Sequence, residues 1–221
     1  MIERQHARSL SELRAAYNDT YARAEYGEKE ALYDLVWELL DPAPAQAVLD
    51  VGCGAGPWEA YAQARGLRTL GLDLSDEALK KAAARGRGPL VLAQGERLPL
   101  RDACFERVVC LGNLEHFLDP AAGARELARV LAPGGRAVVM LPNSRYSGDL
   151  WKRLLTGEGP NHHQAIDRFA TDAEWRALLE GAGLRVERAR RWDKGKRWKR
   201  IFPFQLAYHF VYRCGRAPAS R

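Results

Sequence analysis

At 221 residues, 47% hydrophobic and 28% charged, the chain has the size and composition of one soluble globular unit with a sizeable core. No apolar run approaches the roughly twenty residues that span a bilayer, and the start from Met1 to His6 lacks a signal peptide's apolar stretch, so the expected location is cytoplasmic. Cys53, Cys104, Cys110 and Cys214 show no metal-ligand spacing, which argues against a zinc site and reads Cys53 and Cys110 as small packing residues.

Leu10 to Leu40 carries helical periodicity, broken near Gly27, and stops at Asp41-Pro42-Ala43-Pro44. This predicts a two-helix lid over residues 1–44. A strand from Ala47 to Val51 leads into a glycine turn and a helix from Trp58 to Arg65, with Pro57 at the first helical position, where its missing N–H is no loss. A second strand is expected from about Thr69 to Asp73, then a helix from Asp76 capped by Ser75. Leu90 to Ala93 reads as strand three, Arg107 to Leu111 as strand four, and Ala121 to Leu131 as a helix. Pro133-Gly134-Gly135 turns the chain into strand five, Arg136 to Leu141. The stretch from Pro142 to Phe169 lacks clear periodicity. A helix from Thr171 to Glu180, a strand from Leu184 and a last apolar strand from Phe204 to Tyr212 complete the chain. Such alternation implies a parallel sheet with helices on both faces. Ligands in such sheets bind beyond the carboxyl ends of the strands, where Gly52, Asp73, Gly95 and Leu111 all fall.

The most informative segment is Val48-Leu49-Asp50-Val51-Gly52-Cys53-Gly54-Ala55-Gly56, answered about twenty residues later by Gly71-Leu72-Asp73-Leu74. A glycine turn lets the backbone lie against a ligand, and an acid tipping the next strand is placed to accept hydrogen bonds from a ribose. The third glycine of the dinucleotide spacing Gly-x-Gly-x-x-Gly would fall on Pro57, so that fingerprint fails. No Gly-Lys-Ser/Thr follows, which excludes a Walker loop. Asp50, at the strand end, opposes a pyrophosphate and suits a positive group. The ligand described is adenosine without phosphate but with an amino-acid end, which matches S-adenosylmethionine.

Here the chain resembles the class I S-adenosylmethionine-dependent methyltransferases, in their small-molecule (methyltransferase type 11-like) branch, from roughly Tyr17 to Val186. Five blocks stand in family order: Val48 to Gly56; Leu72-Asp73-Leu74-Ser75; Gly95-Glu96-Arg97-Leu98-Pro99-Leu100; Phe105 to Val109 with Leu114-Glu115-His116-Phe117; and Arg129 to Gly135. Two departures are Gln94, where the family often has an acid, and Glu106, where it usually has Asp. The resemblance implies a Rossmann-like, doubly wound, mostly parallel seven-stranded sheet in a single domain. Its parts would be a helical lid (1–44), a cofactor-binding core (45–141), an acceptor-side cover (142–170) and a C-terminal helix and strands (171–221). It implies S-adenosylmethionine as methyl donor, S-adenosylhomocysteine as product, and direct displacement by an O, N, S or C atom of a small molecule. Asp50, Gly52, Cys53 and Gly54 would hold the amino-acid end, Asp73 the ribose, and Gly95 with Glu96 the adenine. Leu74 and Leu111 would be apolar walls.

Of Tyr17, Tyr21 and Tyr26 in the lid, Tyr21 is the choice for closing over the methionine end. His116, after strand four, is the candidate general base, and His162 and His163 are candidate acceptor-pocket residues. Residues 184–221 hold 12 Lys or Arg against 2 acids, whereas the rest of the chain holds 22 against 26. The density peaks from Arg188 to Arg200, with Trp192 and Trp198 interleaved, a pattern that suits nucleic acid or anionic lipid. The plain alternative is a solvated hairpin whose tryptophans pack on the sheet. Two competing functions follow: an RNA methyltransferase using that patch, and a catalytically silent S-adenosylmethionine-binding protein. Against methylation of a flipped base, Leu111-Gly112-Asn113-Leu114 lacks the Asn/Asp-Pro-Pro-Tyr/Phe pattern.

Overall fold

The computed structural model describes residues 1–23, 29–148, 157, 164–194 and 196–218. In chain order its elements are β1 (Ile2–Gln5), α1 (Leu10–Arg23), α2 (Glu30–Leu40), β2 (Ala47–Val51), α3 (Pro57–Gln63), β3 (Arg68–Asp73), α4 (Asp76–Ala84), β4 (Leu90–Leu92) and β5 (Phe105–Leu111), followed by α5 (Pro120–Val130), β6 (Leu131–Pro142), β7 (Ile166–Phe169), α6 (Asp172–Gly181), β8 (Leu184–Trp192) and β9 (His209–Arg216). Helix starts follow their caps. Ser75 Oγ accepts the Ala78 N–H at 3.1 Å, and Asp119 accepts the Ala122 N–H at 2.9 Å ahead of Pro120. Thr171 and Glu174 form a reciprocal capping box.

Seven strands form one sheet in the order β4-β3-β2-β5-β6-β9-β8. It is parallel from β4 through β6, and β9 is antiparallel to both its neighbours. This is the expected mostly parallel, doubly wound architecture. Side chains alternate across it with the period of two that a pleated strand imposes. Val108 and Cys110 of β5, with Val139 and Leu141 of β6, pack against Leu127 of α5 and Trp175 of α6. Val109 and Val138 face the other way, onto Leu32, Val36 and Leu40 of α2 and Trp58 of α3. Helix α2 is therefore a core helix rather than a loose lid. The order reverses at β2, because the chain winds outward to β3 and β4 and then returns to β5 on the other side. A crevice opens at such a reversal.

Several expectations are corrected. The N-terminus is a strand: β1 pairs antiparallel with β7, from Ile2↔Phe169 to Gln5↔Ile166, in a separate two-stranded sheet. Part of the segment read as aperiodic is thus ordered by a partner about 160 residues away. The last strand begins at His209, while Phe204–Leu206 forms a 3-10 turn behind Pro203. Trp192 is buried as the hairpin reading expects, but Trp198 is 61% exposed and does not pack on the sheet. Tyr26, His162 and His163 lie outside the described residues.

Candidate active site

Gly52, Gly54 and Gly56 have φ of 78°, 57° and 76°, the left-handed region that favours glycine. The turn they make is tied down from both sides. The N–H groups of Gly52 and Cys53 donate to the Leu72 carbonyl at 2.7 and 3.0 Å. Asp73 Oδ2 accepts the Gly54 N–H, and its Oδ1 accepts the Ser75 N–H, both at 2.8 Å. Asn113, after β5, donates from Nδ2 to the carbonyls of Gly52 (2.8 Å) and Leu111 (3.1 Å), bridging the two strand ends at the reversal. A Cβ at Gly54 would collide with the Tyr21 hydroxyl. Gly54→Ala is accordingly expected to weaken S-adenosylmethionine binding about tenfold in calorimetry, or about 1.4 kcal/mol, because the added methyl displaces Tyr21 and the turn that faces the ligand.

Two adjoining cavities open at this edge. The larger, of about 370 Å³, is in the size range of small-molecule sites and is lined by Tyr21, Asp50, Gly52, Cys53, Gly54, Leu111 and His116 of the expected residues. The smaller, of about 50 Å³, is lined by Tyr21, Gly52, Asp73, Leu74, Gly95, Glu96 and His116. All eleven candidates thus border one continuous crevice, with Tyr17, Tyr21, Gly52, Asn113 and His116 shared between its halves. Glu96 also has a bracing task, because its Oε1 accepts the Leu118 N–H at 2.8 Å.

Helix α1 is latched over the crevice. Asn18 donates to Asp76 at 2.7 Å and accepts from Ser75 Oγ at 2.7 Å, and Arg14 lies 3.1 Å from Asp76. The Asn18 hydrogen bond, with Arg14 beside it, holds the Asp76 carboxyl down to about 2. Tyr17 and Tyr21, one helical turn apart, are thereby held over the glycine turn.

The crevice floor is acidic. Asp50 on β2 stands in register with Gly71 on β3, and the space that a Gly71 side chain would fill is taken by Glu59 Oε1 and Cys53 Sγ. Glu59 is fully buried, with its carboxyl against the Asp50 carboxyl and the Cys53 thiol. Burial, reinforced on Asp50 by the neighbouring Glu59, pushes both carboxyls well up. Asp73 is raised by burial too, opposed by the N–H donors of Ser75 and Gly54. Glu115 is buried beside Asp167; burial, then that neighbour, pushes it up to about 8.

Sequence reasoning singled out His116 but missed its surroundings. Its Nδ1 is hydrogen-bonded to the Ile166 carbonyl, which can only accept, so Nδ1 carries the proton and Nε2 is the acceptor nitrogen. Glu115 Oε1 lies 3.8 Å from that Nε2. Buried Arg168 on β7 holds the turn in place by donating to the carbonyls of Glu115 (3.2 Å), Phe117 and Leu118 (3.3 Å). Also missed were Tyr33, Asn113, Met140, Gln164, Lys194, Tyr208 and His209, which complete the larger cavity. No local motif marks these residues; only the fold brings them together.

A bound S-adenosylmethionine fits this donor set. Buried Tyr17 Oη, Trp58 Nε1 and Glu115 Oε2 belong to cavity-lining residues and have no hydrogen-bond partner among the described residues, which leaves polar atoms for a bound ligand to satisfy. A family model described as Methyltransferase domain matches residues 49–139, which carry the glycine turn, Asp73 and His116. Demethylmenaquinone methyltransferase of Mycolicibacterium paratuberculosis is 31% identical over 178 residues, 77% of each chain. The chain belongs to the class I S-adenosylmethionine-dependent methyltransferases of the small-molecule type. It is an enzyme of that family, and S-adenosylmethionine is its cofactor. The demethylmenaquinone methyltransferase of Corynebacterium kroppenstedtii is 42% identical over 112 residues, 48% of each chain; the methyltransferase spans about half the length of several curated relatives it matches. Among solved structures, a complex between the Haloferax volcanii Trm112 methyltransferase activator and a methyltransferase superposes with a TM-score of 0.70 at 20% identity, over 95% of this chain and 99% of that one. This last likeness speaks to the fold alone.

Proposed function

We propose that the methyltransferase methylates a nucleophilic atom of a small, aromatic or amphiphilic molecule seated in the larger cavity, with His116 receiving the acceptor's proton. The observation that carries this reading is the division of the crevice. Asp73, Leu74, Gly95 and Glu96 border its smaller half and suit an adenosyl group, which leaves the larger half for the methionine end and an acceptor. Leu32, Tyr33, Trp58, Met140 and Tyr208 give the larger half apolar and aromatic walls. The names of the two relatives above make a quinol-like ring the first acceptor class to test.

Bound here, S-adenosylmethionine supplies a methyl group on a sulfonium, open to in-line displacement. His116 Nε2, the acceptor nitrogen of its ring, would take up the proton that the acceptor molecule loses. The chain's contribution is alignment and exclusion of water, together with a fixed imidazole tautomer. Asp50 and the backbone of Gly52, Cys53 and Gly54 hold the amino-acid end, with Leu111 as a wall. Tyr21 closes over it.

Transfer of labelled methyl into a metabolite pool, with a demethylated quinol among the acceptors, tests the reading. His116→Ala is expected to lower kcat about 100-fold while S-adenosylmethionine affinity stays within about twofold. An unchanged kcat would remove His116 as the base, and no incorporation into any small molecule would sink the reading as a whole.

A further inference from the structure

Residues 193–208 join β8 to β9 at the carboxyl edge of the sheet, because β9 runs antiparallel to β6 and begins opposite Pro142. The same connection supplies Lys194 and Tyr208 to the larger cavity. Within it, the short 3-10 turn Arg197–Ile201 carries two of the most exposed large apolar side chains described, Trp198 at 61% and Ile201 at 80%. Phe202 follows, edge-on to Trp198 at 6.2 Å between ring centres. The connection contains five Lys or Arg and one acid, Asp193. That acid is buried and occupied: its Oδ2 lies 2.6 Å from Arg191 Nε and its Oδ1 accepts the Tyr208 N–H at 3.0 Å. Lys199 is buried against the Tyr146 hydroxyl, so the exposed charges described on the connection are those of Lys194 and Lys196, both positive.

We propose that this turn docks the methyltransferase on an anionic lipid bilayer, so that the larger cavity receives its acceptor from the membrane surface. The proposal rests on the methyl-transfer reading of that cavity and deepens it by naming where the acceptor resides. Three observations carry it. The exposed apolar pair lies a few residues from exposed Lys194 and Lys196 on one connection, the combination that holds a protein at a headgroup boundary, where tryptophan and aliphatic side chains enter and lysine meets lipid phosphates. The charge of the chain is polarised: residues 184–221 hold 12 Lys or Arg against 2 acids, and the remainder 22 against 26. A negative surface thus attracts the C-terminal part of the chain, which includes this connection. Lys194, with its ammonium 4.3 Å from the centre of the Tyr208 ring, stands at the cavity, facing an acceptor that enters from that side. No described helix is long and apolar enough to cross a membrane, so attachment is peripheral. RNA is the weaker fit, because bases stack on aromatic rings and the most exposed apolar residue, Ile201, offers neither a ring nor a charge.

The test is co-sedimentation of the full chain with phosphatidylcholine vesicles containing about one third phosphatidylglycerol, alongside pure phosphatidylcholine vesicles, at low and high salt. At least tenfold more protein is expected on the anionic vesicles, falling with added salt. Ile201→Glu and Trp198→Glu should each reduce that binding about tenfold while leaving the melting temperature and S-adenosylmethionine affinity unchanged, since both side chains face solvent. The proposal is overturned by absence of binding to anionic vesicles, by equal binding to neutral ones, or by full binding of both variants. It is equally overturned if the protein binds RNA in a salt-dependent way and ignores vesicles. S-Adenosylmethionine affinity on the same preparation keeps the two readings apart. Its absence counts against methyl transfer, while vesicle binding reports on docking alone.

Discussion

Asp73→Ala should lower S-adenosylmethionine affinity by at least about 100-fold, close to 3 kcal/mol in calorimetry. The size follows from two losses at one carboxylate. Its oxygens already accept the N–H groups of Gly54 and Ser75, and each retains a lone pair for a ribose hydroxyl. Removing the carboxylate strands two backbone donors in a buried setting, each at a cost of about 1–3 kcal/mol, and deletes the ribose acceptor as well. Part of the first loss falls on folding rather than binding, so the melting temperature should drop together with affinity. Asp73→Asn separates the two. An amide satisfies only one of the two N–H donors and turns its NH2 toward the other, so intermediate affinity is expected with a smaller loss of stability. If the alanine variant folds and binds the cofactor as tightly as the parent, the assignment of Asp73 to the ribose is wrong.

How far the site was legible depends on how local each cause is. The glycine turn was readable because positive φ at Gly52, Gly54 and Gly56 leaves a trace in residue type. Asp73 was readable through its distance from that turn. Ser75 announced its helix because a cap acts within four residues. The strand from Ile2 to Gln5 was not readable, since four residues carry little pattern and their partner lies at the other end of the chain. What secures it is equally remote: the Glu3–Arg168 pair at 2.7 Å and the N-terminal ammonium against Glu174. Phe204 to Leu206 misled in the opposite direction. An apolar run next to a strand reads as its continuation, but Pro203 sits ahead of it and the chain turns before β9.

The same distinction explains why Asn113, Glu59 and Arg168 escaped notice. Asn113 matters because β2 and β5 end side by side, which is a property of strand order and not of any spacing along the chain. Glu59 looks in sequence like an ordinary first-turn acid of α3. It is unusual only because Gly71, opposite Asp50, leaves room for its carboxyl beneath the sheet. Arg168 reads as one basic residue among many until β7 carries it under the turn that holds Glu115 and His116. Sequence reasoning therefore located the crevice from residues whose role is written in backbone geometry. The groups that hold its loops, and Glu59 against Asp50, came only from the fold.

The burial of carboxyls around the crevice has a measurable consequence in Glu115→Gln. Burial, with Asp167 close by, holds the Glu115 carboxyl at about 8, against an ordinary glutamate value of 4.5. Its folded-state value is thus raised, so the group favours the folded protein fully below about pH 4.5, and its contribution is lost as pH climbs toward 8. Between those limits the unfolded chain has given up a proton that the folded chain retains. Each pH unit costs about 1.4 kcal/mol, and the ceiling is roughly 3 to 5 kcal/mol. Glutamine cannot ionise and lacks this dependence. Chemical denaturation at pH 5 and pH 8 should show Glu115→Gln gaining stability relative to the parent by several kcal/mol over that interval. Glu59→Gln should show the same sign, since burial raises that carboxyl as well. The charged and titratable neighbours of Glu115 include Asp167 on β7, the His116 ring, the Arg168 guanidinium at its backbone carbonyl, the Tyr17 hydroxyl and the Cys110 thiol. Superimposable pH curves for Glu115→Gln and the parent would mean that this carboxyl reaches water or a cation in the folded protein, and that the floor of the crevice carries more negative charge at neutral pH than its burial implies.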